Sequence, residues 1–313
     1  MKKTAFLFPG QGSQYVGMGK ELYESSSDAK ELLDRADMVL GFSLTDLMFN
    51  GPEEKLKQTE HAQPALLAAS IIAWKELDKQ GVTADYTAGH SLGEYSAAVA
   101  SGVLSFEDAV QAVHQRGLFM EEAVPAGKGA MAAIMGMERE ALEQVTRSVT
   151  TGSVELANIN APGQIVISGD KEAVEEAGEA AKEQGAKKVI PLSVSGPFHS
   201  KGMEPAKNKL AGVLDGIVFT EAQIPLVSNV TAEPVRDKEQ IKSQLIEQVT
   251  SPVLWEDSMK KLIEEGTVTF IEVGPGKVLS GLMRRIQRRG LDVMAAEDTE
   301  TINKAAESWK GEV

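Results

Sequence analysis

Gly89-His90-Ser91-Leu92-Gly93 stands between an apolar-leaning stretch and the small-residue run Glu94-Tyr95-Ser96-Ala97-Ala98-Val99-Ala100. The pentapeptide has the Gly-x-Ser-x-Gly form of a nucleophile elbow, a sharp strand-to-helix turn that holds a serine hydroxyl exposed. A hydroxyl is a poor nucleophile unless held in this way, within reach of a base and of a pocket for negative charge. Glycine on both flanks permits the tight turn and removes side chains that would strike neighbouring strands. The following run is apolar on most faces and suits a buried helix. Its N-terminus would direct free amides and positive dipole toward an oxyanion beside Ser91.

Outward from the elbow, the chain alternates strand-like and helix-like segments from Thr4–Phe8 to about residue 120, the pattern of a layered α/β domain. The first apolar run stops at Pro9-Gly10-Gln11-Gly12-Ser13, a strand followed by a loop. Near residue 126 the rhythm changes. Strands are expected at Ala130–Met135, Val154–Asn160, Gln164–Ser168 and Lys187–Val194, with helices at Glu138–Ser148 and Lys171–Gln184. That is a β-α-β-β-α-β order, the ferredoxin-like arrangement. Strand-like Ile224–Val230 and Thr267–Val273 follow, so the small unit is expected as an insertion. The division is a large α/β-hydrolase-like domain over 1–125 and 196–313 with a ferredoxin-like small domain over 126–195.

At 313 residues the chain has room for such a pair. Aromatics make up only 5% of it, so the core must be built largely from Ala, Val, Leu, Ile and Met. With no Cys, disulfides, thiolate metal sites and a catalytic thiol are excluded. A net charge of −14 argues against general nucleic-acid binding, which wants a basic face. No stretch approaches the roughly 20 apolar residues that span a bilayer, and Thr4–Phe8 is too short for a signal segment. A cytoplasmic protein without membrane attachment is expected.

Serine catalysis needs a base, and His is the side chain suited to it near neutrality. There are four: His61, His90, His114 and His199. His90 adjoins Ser91 on a sharp turn, where adjacent side chains diverge, and is expected behind the elbow. His61 lies in Thr59-Glu60-His61-Ala62-Gln63-Pro64, read as a loop. His114 shares a helix with Arg116, which Ser105 and Asp108 would cap. Ala109, Ala112, Val113, Arg116, Gly117 and Met120 form its apolar face. A guanidinium on that face needs an anionic partner, and His114, rotated by about 200° from Arg116, faces away. His199 remains, in Ser195-Gly196-Pro197-Phe198-His199-Ser200 where the small unit rejoins the large one.

Together these residues resemble one family, the malonyl-CoA:acyl carrier protein transacylases of bacterial type II fatty-acid synthesis. The resemblance runs over nearly the whole chain. It is carried by Phe8-Pro9-Gly10-Gln11-Gly12-Ser13-Gln14, Gln63-Pro64-Ala65-Leu66, Gly89-His90-Ser91-Leu92-Gly93-Glu94 and Arg116-Gly117. Asn158-Ile159-Asn160-Ala161-Pro162-Gly163-Gln164, Gly196-Pro197-Phe198-His199-Ser200, Gln248-Val249-Thr250-Ser251-Pro252-Val253 and Glu272-Val273-Gly274-Pro275-Gly276 continue it in the family's order.

The resemblance implies that Ser91 is acylated and that His199 takes its proton. In place of a triad carboxylate, the main-chain carbonyl of Gln248 would orient the imidazole. The amides of Gln11 and Leu92 would form the oxyanion hole. Arg116 would grip the free carboxylate of a malonyl group with two prongs, and Asn160 would line the cleft. It also implies malonyl-CoA and acyl carrier protein as partners, with no cofactor and no metal. Related polyketide acyltransferases with Phe before the His, as at Phe198, tend to use malonyl groups.

A serine hydrolase or thioesterase, and a polyketide-pathway acyltransferase, are the alternatives. Gly274-Pro275-Gly276-Lys277 lacks the spacing and ending of a phosphate loop and is expected to be a structural turn. Carrier proteins of the implied pathway are acidic, as is this chain, so docking would need a local basic patch. Lys201, Lys207 and Lys209 form one candidate, and Lys277, Arg284, Arg285, Arg288 and Arg289 the other.

Overall fold

The computed structural model describes residues 2–125, 127–194 and 196–312. Strands β1 (Lys3–Phe8), β2 (Tyr86–Gly89), β3 (Gly129–Met135), β4 (Val154–Ala161), β5 (Gln164–Asp170), β6 (Lys188–Pro191), β7 (Leu226–Val227), β8 (Pro234–Val235), β9 (Thr267–Val273) and β10 (Asp292–Ala296) form two sheets. The first has the order β10-β9-β1-β2-β7-β8, parallel from β10 to β7 with β8 antiparallel at the edge. Parallel strands covered on both faces are apolar throughout rather than alternating. Accordingly Ala5, Phe6, Leu7 and Phe8 of β1 are all buried. One face packs beneath the helices Thr59–Lys79 and Phe106–Glu122. The other, which carries Leu7 and Phe270, packs against Trp255 and the Val278–Ile286 helix.

The second sheet is antiparallel, in the order β4-β5-β3-β6. Helices Arg139–Ser148 and Lys171–Glu183 pack Leu142, Val145, Ala173, Val174 and Ala177 onto it, giving a separate small core. The chain order is the expected β-α-β-β-α-β. β4 carries register shifts between Leu156 and Asn158 and between Ile159 and Ala161. Bulges re-aim side chains, and here the backbone of β4 bonds to the larger unit: Val253 donates to Ala157 O at 2.8 Å and Ile159 to Val253 O at 2.9 Å.

Several expectations need correction. His61 is not in a loop but in the first turns of the Thr59–Lys79 helix, which contains Pro64. Proline lacks the N–H that would bond to the Glu60 carbonyl. His114 Nδ1 lies 2.8 Å from that carbonyl and supplies the missing donor. The final small-unit strand is trimmed to Lys188–Pro191 and the Ile224–Val230 strand to Leu226–Val227. The helix before Gly290 ends at Ile286, leaving Arg288 and Arg289 beyond it. Ala126 and Ser195, the ends assigned to the small unit, lie outside the described residues, as do Met1 and Val313.

Candidate active site

β2 ends at Gly89 and the elbow helix begins at Gly93, so the turn has three residues to reverse direction. Ser91 takes up φ 51°, in the left-handed region that side chains disfavour. A Cβ on Gly89 would lie 1.8 Å from Gly93 O, and one on Gly93 2.1 Å from Phe8 O. The two flanking glycines therefore answer to contact distances with backbone that cannot move aside. His199 is the second non-glycine residue at positive φ, 56°.

The two side chains meet: Ser91 Oγ is 2.7 Å from His199 Nε2. His199 Nδ1 is 2.9 Å from the main-chain oxygen of Gln248. A carbonyl only accepts, so Nδ1 carries the proton and Nε2 presents its lone pair to the Ser91 hydroxyl. Burial, reinforced by the Arg116 charge, holds the imidazole well below its ordinary range, down to about 3. At neutral pH it is an uncharged acceptor.

Arg116 is 1% exposed, on the inner face of the Phe106–Glu122 helix. Its NH1 donates to Gln63 Oε1 at 2.8 Å, and its NH2 to Gln248 Oε1 at 2.9 Å and to Ser91 Oγ at 3.1 Å. Its Nε, among the described residues, is buried without a partner. Among the described residues no carboxylate lies within ion-pair distance of it. Its hydrogen-bond acceptors among the described residues are all neutral oxygens, and a buried cation so held keeps the capacity to pair with an anion.

A cavity of about 390 Å³ opens onto these groups, lined by Gln11, Ser91, Leu92, Arg116, Asn158 and His199 among others. Among the described residues neither the Gln11 nor the Leu92 amide donates to a protein acceptor. The cavity lining includes Asn158, whereas Asn160 Oδ1 lies 2.8 Å from His90 Nε2. His90 itself rests against Trp255, ring centroids 5.5 Å apart, behind the elbow. His114 faces away from Ser91, against Phe42.

Three side chains, those of Asn229, Gln63 and Gln248, were not assigned roles from the sequence. Asn229 Oδ1 accepts from Ser91 N at 2.7 Å and its Nδ2 donates to Gly89 O at 2.7 Å, clamping the elbow. Gln63 and the side chain of Gln248 hold Arg116. The available signal was polar amides amid apolar residues, Gln63 before Pro64 and Gln248 before Val249.

The Gly274-Pro275-Gly276 turn holds no phosphate cradle, because its donors are already taken. Gly276 N donates to Glu297 Oε2 at 2.7 Å, and Leu279 N and Ser280 N donate to the two oxygens of Glu272 at 2.9 and 2.7 Å. Among the described residues no helix is long and apolar enough to cross a membrane, and no group of three His, Asp or Glu could hold a metal ion.

The acyl transferase domain model matches residues 5–305. The chain belongs to the acyl transferase domain family. Within it the chain is 57% identical over 314 residues to the malonyl CoA-acyl carrier protein transacylase of Bacillus subtilis, covering 100% of this chain and 99% of the relative. The Staphylococcus aureus transacylase is 46% identical, over 92% of this chain and 94% of its own. An acyl carrier protein S-malonyltransferase from Vibrio cholerae superposes with a TM-score of 0.94 at 44% identity, over 97% of this chain and 99% of that one. The malonyl-transacylase solved in complex with a type II PKS acyl-carrier protein superposes with 0.95 at 43% identity, over 98% and 100%.

Proposed function

We propose that this acyltransferase moves a malonyl group from malonyl-CoA to the phosphopantetheine thiol of acyl carrier protein through a malonyl-Ser91 intermediate. The observation that carries the proposal is a buried guanidinium, lacking any carboxylate partner among the described residues, 3.1 Å from a serine hydroxyl that is itself 2.7 Å from a neutral imidazole. In the first half-reaction Ser91 Oγ attacks the thioester carbonyl while His199 Nε2 takes its proton. Collapse of the tetrahedral adduct breaks the C–S bond, and His199 returns the proton to the departing coenzyme A sulfur. The second half-reaction runs in reverse, with the carrier thiol as the attacking group. The Gln248 carbonyl keeps the proton on Nδ1 and stabilises the imidazolium that forms. The amides of Gln11 and Leu92 face the developing oxyanion, and Arg116 takes the malonyl carboxylate.

The sheet orders support the finer architecture, an α/β-hydrolase-like domain over 1–125 and 196–313 with a ferredoxin-like domain over 126–195. A cytoplasmic location goes with a coenzyme A substrate. Intact-mass measurement after mixing with malonyl-CoA tests the proposal. One malonyl group should appear on the native chain and none on Ser91→Ala, and the group should then pass to holo carrier protein rather than be released as malonate. Equal labelling of Ser91→Ala rejects Ser91, and rapid malonate release makes the enzyme a thioesterase.

A further inference from the structure

Glu94, in the first turn of the elbow helix, is 1% exposed and touches neither the cavity nor Ser91 Oγ. Its Oε2 accepts from Gln248 Nε2 at 2.6 Å and from the Asn229 amide at 3.3 Å. Gln248 is the hub of the site. Its main-chain oxygen faces His199 Nδ1, its Oε1 accepts from Arg116, and its Nε2 also donates to Ser91 O at 3.0 Å. A glutamine side chain can present either its oxygen or its NH2 in a given direction, and only the partners decide which. Toward Arg116, which has donors only, Gln248 must show oxygen. Because Asn229 N–H already donates to Glu94 Oε2, that oxygen acts as an acceptor, and the amide facing it must show NH2.

We propose that Glu94 is a positioning residue of the transfer: it locks the orientation of the Gln248 amide, so that Gln248 Oε1 holds the Arg116 guanidinium beside Ser91, ready for the substrate carboxylate. The inference rests on the function proposed above, and it makes Glu94 act on recognition of the carboxylate rather than on the attack itself. With the amide reversed, NH2 would confront guanidinium N–H, and Arg116 would lose one of its three neutral supports. Burial pushes the Glu94 carboxyl up to about 8. A neutral carboxyl still accepts at Oε2, so Glu94→Gln is the conservative replacement.

The test separates carboxylate recognition from serine reactivity. Glu94→Ala should raise the KM for malonyl-CoA about tenfold or more, the scale of one lost hydrogen bond to a charged group. Acylation of Ser91 by p-nitrophenyl acetate, which carries no carboxylate, should change by no more than about twofold. Glu94→Gln should restore most of the malonyl-CoA KM. In an Arg116→Ala background, Glu94→Ala should add no further loss, since the two act in series. If Glu94→Ala does not fold, Glu94→Met, which keeps similar volume but cannot accept from Gln248 Nε2, should show the same split between the two acyl donors. Equal losses with both esters, additive losses in the Arg116→Ala background, or a Glu94→Gln variant as damaged as Glu94→Ala would each overturn the proposal. Malonyl labelling of the native chain is read first. If it succeeds and the variants show no split, only the role of Glu94 fails, whereas its absence removes the transfer mechanism as well.

Discussion

Replacing Arg116 by Ala should invert the preference between malonyl and acetyl groups. In the free protein the guanidinium is almost wholly removed from water, and burial pulls its pKa down. What compensates it is neutral: the oxygens of Gln63, Gln248 and Ser91, and the Tyr95 ring 5.8 Å away. A carboxylate arriving in the cavity completes a buried ion pair. Removing one partner of such a pair costs about 3–5 kcal/mol, or about 140- to 3,700-fold in kcat/KM for malonyl-CoA at about 1.4 kcal/mol per tenfold. The three neutral hydrogen bonds already in place favour the lower end of that range. An acetyl group leaves the cation unpaired in the native enzyme, so deleting the charge should leave acetyl transfer unchanged or raise it. Single-turnover acylation with the two thioesters, followed by intact mass, gives both rates. A common loss for both would mean that Arg116 supports the elbow and that the carboxylate is read elsewhere. Arg116→Lys should recover little, because a point charge cannot reproduce the fork that reaches Gln63 and Gln248 together.

The depressed His199 pKa predicts that kcat/KM for acylation stays flat between about pH 5 and pH 8. An acid limb near the ordinary His value of about 6.5 would refute it. The folded imidazole binds fewer protons than the unfolded one across this interval. Its contribution to stability is therefore complete above about pH 6.5 and is lost as pH falls toward the folded value of about 3. Gly93→Ala should destabilise by at least about 2 kcal/mol in a thermal or denaturant melt, because its Cβ would sit 2.1 Å from Phe8 O. Gly281→Ala, on a helix with nothing within 4 Å, should instead be neutral or gain up to about 1 kcal/mol. Lys201, Lys207 and Lys209 each pair with a carboxylate, on Glu155, Glu247 and Glu122, whereas exposed Arg284, Arg285, Arg288 and Arg289 form no ion pair among the described residues. Arg285→Glu should therefore raise the KM for carrier protein more than Lys201→Glu does, with malonyl-CoA acylation intact in both. The reverse order would move docking to the small-unit side of the cleft.

Much of this site was legible because local chemistry demanded particular residues at particular spacings. The elbow needed Gly at both flanks, the Phe106–Glu122 helix announced itself by Ser105 and its apolar stripe, and Arg116 on that stripe called for an anion. The small unit's succession of strands and helices along the chain was legible from periodicity. What stayed hidden depended on contacts distant in sequence. Nothing near Asn229 shows that its side chain clamps an elbow 138 positions earlier. β4 carries bulges around these positions, Asn158 lines the cavity while Asn160 turns to His90, and a bulge re-aims side chains without changing which residues the segment contains. His61 was misread because Pro64 reads as a helix breaker, and the donor that repairs the turn comes from His114, on another helix.

The same repair has a consequence for how the substrate is met. The Phe106–Glu122 helix crosses the Thr59–Lys79 helix at Glu60, where a Cβ on Gly117 would come within 2.6 Å of the Glu60 Cα. His114 bonds the Glu60 carbonyl, and two residues on, Arg116 bonds Gln63. Backbone contact, carbonyl bond and guanidinium bond fasten two buried rods at a single joint. The entropy of fixing the cation is spent when the chain folds, so a carboxylate entering the cavity meets a receptor already set rather than one it must assemble. Discrimination among acyl groups is then a property of a stiff scaffold: substitutions at His114 or Gly117, remote from Ser91, should blur it by letting the joint rock.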